Sequence, residues 1–125
     1  MSRVQLSINV SDFDAAVAFY SCLFGTAPAK LRPGYANFAI DDPPLKLVLN
    51  SPGNGQGGTI NHLGVEVDTT DEVAHAGARL ATGGLATEPE SGAVCCYARQ
   101  DKVWVRDPDG VAWEYYTVLE HIETP

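Results

Sequence analysis

The chain has 125 residues, room for one domain rather than two. Its 45% hydrophobic and 19% charged residues, with a mean hydropathy of -0.08, fit a folded globular protein and argue against disorder. Eight basic against sixteen acidic residues give a net charge of -8, a balance that repels phosphate backbones and anionic lipid and so argues against nucleic acid and membrane partners. No apolar run is longer than that of Ala15–Tyr20, which falls far short of the ~20 residues needed to cross a bilayer.

In chain order, MSRVQLSINV alternates Val4, Leu6, Ile8 and Val10 with Gln5, Ser7 and Asn9, the period-two pattern of a half-buried strand and not of a signal peptide. Asp12 is placed to cap a helix in which Phe13, Ala16, Val17, Tyr20, Leu23 and Phe24 share a face, and Gly25 ends it. Strands are expected over Tyr35–Ile40 and Leu45–Leu49, with the turn DDPP between them. The stretch SPGNGQGGT, residues 51–59, is a flexible connector by composition, and lacks the Gly-Lys-Ser/Thr ending of a phosphate loop.

The pattern then repeats. Ile60, Leu63, Val65 and Val67 mark a strand, and Asp71–Leu80 a helix with Val73, Ala76 and Leu80 on one face, closed by Gly83-Gly84. Strands follow at about Ala93–Ala98, Val103–Val105 and Trp113–Val118, the last preceded by the turn DPDG. Laying Gln5 on His62 brings Leu6 onto Leu63, Ile8 onto Val65, Val10 onto Val67 and Asp14 onto Asp71. Two copies of β-α-β-β-β in a single α+β domain are the simplest description: module one at about 2–50, linker 51–59, module two at about 60–118 and a tail at 119–125.

The duplication lays polar Gln5 on His62, each on the parity opposite its apolar row, so both side chains are expected in one concavity. His75 falls mid-helix and His121 in the tail, positions expected to be solvated. Glu114 lies in the aromatic strand AWEYYTV, where a carboxylate is costly to bury unless paired or bound to a cation. Gln5, His62 and Glu114 together offer an amide oxygen, an imidazole nitrogen and a carboxylate, a set suited to Fe(II) or Mn(II) with open positions for water or substrate. A neutral amide donor makes a loosely held metal the expectation.

Three cysteines are an odd number, so no disulfide framework is suggested and a reducing cytoplasm is the expected setting. Cys22, between Tyr20 and Phe24, is read as packing. Cys95 and Cys96 are adjacent, and two readings stand: small apolar core residues, or a soft pair for a thiophilic ligand. Neighbours on a flat strand point to opposite faces, so convergence of both sulfurs requires a bulge or bend there. Lys102 and Arg99 are the nearby sources of positive potential that would favour thiolate.

The strand INHLGVEV with His62, the segment DPDGVAWE with Glu114 and the Gln5 strand together resemble the vicinal oxygen chelate superfamily of glyoxalase, bleomycin resistance and extradiol dioxygenase proteins. That resemblance covers nearly the whole chain and implies a half-barrel of two βαβββ modules around a metal cavity, with Gln5, His62 and Glu114 as ligands. AVCCYARQDKVWV, PGYANFAI and PPLKLVLN are similar to carbon–arsenic lyases and cadmium-induced relatives. The resemblance implies Fe(II) and dioxygen chemistry on a trivalent methyl- or aryl-arsenical held by Cys95 and Cys96; Lys102, from its charge, is a further candidate for substrate binding. Two rivals stand beside it: a cadmium- or arsenite-binding stress protein without turnover, and a metal-dependent thiol transferase of the fosfomycin-resistance type. The polar stretch ARQDK, Ala98–Lys102, is expected to be a hairpin loop, either solvated or closing over bound arsenical. Homodimerisation would cover the open sheet edges such a half-barrel leaves.

Overall fold

A computed structural model describes residues 2–51 and 56–125 of the chain. Its elements run β1 (Arg3–Asn9), α1 (Phe13–Phe24), β2 (Lys30–Arg32), β3 (Tyr35–Ile40), β4 (Leu45–Asn50), then β5 (Ile60–Glu66), α2 (Thr70–Thr82), β6 (Glu88–Cys95), β7 (Ala98–Arg106) and β8 (Ala112–His121). The α+β fold of two βαβββ runs is therefore what the chain adopts. Residues pack into two compact units, Val4–Leu63 and Gly64–Pro125, the latter with the residues up to Arg3, so β1 and β5 are each divided between them. Of the connector expected at 51–59, residues 52–55 lie outside the described residues.

In the Val4–Leu63 unit the strand order is β2-β3-β4-β1, with the start of β5 next to β1. β4 runs parallel to β1, pairing Val4 with Leu45 through Asn9 with Asn50, while β3 is antiparallel to β4 and β2 to β3. Helix α1 begins as its cap predicts: the Asp12 carboxylate accepts the Ala15 amide at 3.1 Å. It ends at Gly25 in the left-handed region, φ 65°, where glycine meets no Cβ penalty. Its apolar stripe of Phe13, Ala16, Val17, Tyr20 and Phe24 packs on a core of Ala36, Phe38, Ile40, Leu47 and Leu49. Leu23 and Cys22 do not follow the stripe. Both are exposed, so Cys22 is not the packing residue expected from its aromatic neighbours.

Strand β1 also departs from the simple pattern. Its polar row is the more buried one: Gln5, Ser7 and Asn9 are buried, while Leu6 and Ile8 are only partly covered. The alternation predicted two distinct faces, and both are covered because each polar side chain has a built partner. Ser7 Oγ accepts from Asn50 Nδ2 at 2.8 Å, and Asn9 is bonded to Thr59 and Asn61.

In the other unit β8, β7 and β6 follow one another from the end of β5, with β7 antiparallel to both β8 and β6. Helix α2 starts at N-cap Thr69, whose hydroxyl accepts the Glu72 amide at 3.1 Å, and it buries Val73 and Ala76 as its periodicity predicts. Strands β6, β7 and β8 are all longer than their apolar runs suggest. In particular ARQDK is not a loop: Ala98–Lys102 is the first half of β7, paired to β6 on one side and β8 on the other. Two flanking strands satisfy the backbone of this polar stretch, and its alternate residues Gln100 and Lys102 are buried. The turn lies instead at Cys96 and Tyr97, with Cys95 paired to Ala98 across it. No helix is long and apolar enough to cross a membrane among the described residues.

Candidate functional site

Strands β1 and β5 bring Gln5 and His62 together within the Val4–Leu63 unit. Gln5 Nε2 lies 3.1 Å from His62 Nε2, and His62 Nδ1 lies 2.8 Å from Asn61 Oδ1. With Nδ1 protonated towards Asn61, Nε2 carries a lone pair that accepts from the Gln5 amide. That is the ligating form of imidazole. A half-turn of the Gln5 amide would put its oxygen where its nitrogen now sits, so the pair fits a cation that takes nitrogen and oxygen donors.

The second cluster lies on one face of β6, β7 and β8. Lys102 is 3% exposed, and its Nζ donates to Glu114 Oε1 at 2.8 Å and to Cys95 Sγ at 3.5 Å. Trp104 pairs with Glu114 and Lys102 with Tyr116 across β7 and β8, so the ion pair runs diagonally between strands. The ammonium also sits 5.2 Å from the Trp104 ring centroid and 5.8 Å from that of Tyr116, near the quadrupoles of both aromatic faces. Burial alone would lower the Lys102 pKa, but Glu114 and then Cys95 raise it, so the amine stays charged. This pair meets the cost of burying Glu114 that its aromatic strand implied.

Lys102, rather than Arg99, supplies the positive potential at the cysteines. Arg99 instead pairs with Glu120 at 2.8 Å on the surface. The bend required for the sulfurs to converge is the two-residue turn, with φ of 55° at Cys96 and 62° at Tyr97. The two thiols titrate as a pair. Hydrogen bonding from Cys96, then the Lys102 charge working against burial, brings Cys95 down to about 6. The same bond and burial push Cys96 far up, so at neutral pH one thiolate accepts a hydrogen bond from one thiol. Gln100 Nε2 adds bonds to the Cys95 carbonyl at 3.2 Å and Sγ at 3.6 Å. Burial, then the carboxylates of Glu66 and Glu114, keep the Tyr116 hydroxyl protonated well above its usual range.

Sequence reasoning passed over Gln100, Asn61 and Asn9. Gln100 shares the parity of Lys102 and Trp104, a signal hidden by reading ARQDK as a loop. Asn61 adjoins His62, but one neighbouring asparagine announces nothing until its hydrogen bonds are seen. His75 and His121 are both exposed, as expected.

Residues 2–115 match the Glyoxalase/Bleomycin resistance protein/Dioxygenase superfamily. The chain belongs to that superfamily. It is 61% identical to "Cadmium-induced protein CadI" of Mycobacterium tuberculosis (strain ATCC 25618 / H37Rv), over 99% of this chain and 81% of that protein. It is 55% identical to "Trivalent organoarsenical cleaving enzyme" of Thermomonospora curvata, over 99% and 82%. Among solved structures, the Mn(II)-bound glyoxalase from Novosphingobium aromaticivorans aligns with a TM-score of 0.65 at 20% identity, covering 100% of this chain and 42% of that one. At that identity the likeness concerns the fold alone.

Proposed function

We propose that the protein is a carbon–arsenic lyase that uses non-haem Fe(II) and dioxygen to convert trivalent methyl- or aryl-arsenicals to arsenite. The observation that carries this reading is the pair of adjacent cysteines at the turn of the β6–β7 hairpin, with Cys95 3.5 Å from the Lys102 ammonium that also holds Glu114. The 55% identity to a protein named for cleaving trivalent organoarsenicals supports it.

Trivalent arsenic with one organic group has two valences for soft ligands. Cys95 and Cys96 would fill both, displacing two hydroxides as water with the Cys96 proton and one from solvent. Lys102 stabilises the attacking thiolate and fixes its position, and the turn holds the second sulfur beside it. Gln5, His62 and Glu114 would be the donors for iron, a carboxylate keeping lone pairs beyond the one Lys102 occupies. Bound Fe(II) would supply the redox chemistry through which dioxygen is used.

Anaerobic protein given Fe(II), methylarsenite and then oxygen should release arsenite. His62→Ala and Glu114→Gln, the latter keeping an acceptor for Lys102, should bind the arsenical and release none. No arsenite from the wild type ends the proposal. A second reading, a soft-metal binder without turnover, draws on the 61% identity to a protein named as cadmium-induced. It predicts tight binding through Cys95 and Cys96 with no release from any variant.

A further inference from the structure

A line of polar side chains in the Val4–Leu63 unit is used by none of these roles, and it has a direction. It starts at a group that only accepts: the Gln56 backbone carbonyl takes the Thr59 hydroxyl proton. Thr59 Oγ1 then accepts from Asn9 Nδ2 at 3.0 Å, and Asn9 Oδ1 accepts from Asn61 Nδ2 at 3.0 Å. An amide has one donating and one accepting end, so fixing one fixes the other. Asn61 is thereby left with its oxygen towards His62, 2.8 Å from Nδ1. The only group that oxygen can receive is an N–H.

We propose that Asn61 is a positioning residue that holds His62 as the Nδ1–H tautomer and so presents the Nε2 lone pair to a divalent cation. The proposal rests on the reading of His62 as a metal ligand. The strut behind Asn61 is rigid. Asn9 is buried, its amide donates to the Thr59 carbonyl at 2.8 Å, and its carbonyl accepts from the Gly58 amide at 2.7 Å. A solvated imidazole samples both tautomers, and the Nε2–H form has no lone pair at the ligating atom. Outer partners of this kind are worth about 10–100-fold in metal affinity.

The test is long-range proton–nitrogen NMR of the metal-free, 15N-labelled protein, with His62→Gln used to assign the ring against His75 and His121. The wild type should show a protonated Nδ1 and a bare Nε2 at His62. Asn61→Ala should move population towards Nε2–H, while Asn61→Asp, which keeps an oxygen acceptor, should restore the wild-type spectrum. Mn(II) affinity should fall about 10–100-fold in Asn61→Ala and recover in Asn61→Asp. Asn61 is exposed, so its truncation leaves the core alone, and Asn9→Ala interrupts the same line one link back. An unchanged tautomer in both alanine variants overturns the proposal, as does a wild type with Nε2–H. A wild type with Nδ1–H that binds no cation upholds the tautomer assignment and overturns the metal reading instead.

Discussion

Cys95 and Cys96 divide one proton unequally, and the division is set by what surrounds each sulfur. Cys95 has the Cys96 thiol and the Lys102 ammonium, and its pKa falls to about 6, whereas an ordinary thiol titrates near ~8.5. A depressed pKa stabilises the folded state above the unfolded value, so this contribution is complete above ~8.5 and is lost as the pH falls through about 6. Alkylation by iodoacetamide checks the assignment in a Cys22→Ser background, because Cys22 is exposed and would otherwise react. The Cys95 rate should rise with a midpoint near pH 6 and level off by neutrality, and Cys96→Ala should move that midpoint upward. A midpoint above pH 8 in the parent would show that the pair does not hold a thiolate.

The β6–β7 hairpin carries the cysteines, and its geometry is bought with strain. Cys96 and Tyr97 both adopt positive φ where Asn-Gly is the preferred pair, at a cost of about 1–2 kcal/mol per residue. The rest of the element offsets it. Asp101 accepts from the Gly92 amide at 2.7 Å and from the Thr70 hydroxyl at 2.8 Å, tying the irregular stretch of β6 between Glu90 and Ala93 to the start of α2. A cavity of about 300 Å³ lies beside α2, lined in part by Val73, Gly77, Pro89 and Val103. A Cβ on Gly77 would meet Val103 side-chain carbons at 3.7–3.9 Å, ordinary contact with no overlap. Gly77→Ala should therefore stabilise the fold by about 0.5–1 kcal/mol through helix propensity, read from the urea midpoint. Destabilisation by a similar amount would mean that α2 sits closer to β7 than these distances allow.

For the molecule as a whole, the proposed function assigns hard donors and soft donors to different ligands, and linkage makes that separable. A ligand bound only by the native state at a hundred times its dissociation constant adds about 2.7 kcal/mol, roughly 10 °C in Tm for a chain of this size. Mn(II) should raise Tm in the wild type and in Cys96→Ser but not in His62→Ala. A trivalent arsenical should do so in the wild type and in His62→Ala but not in Cys96→Ser. A cation shift that survives His62→Ala refutes the assignment of His62. Much of this chain was legible residue by residue: both helices with their Asp12, Gly25 and Gly83 boundaries, the paired βαβββ runs, and the juxtaposition of Gln5 with His62. Those features are local or repeat along the chain, so capping chemistry and periodicity suffice to find them. Tertiary structure alone decided that the polar row of β1 is the buried one, that ARQDK is strand with Lys102 on Glu114 and Cys95, and that Asn61 backs His62. Periodicity separates the two faces of a strand without saying which neighbour covers each, and a polar strand is held by partners that only the folded chain brings to it.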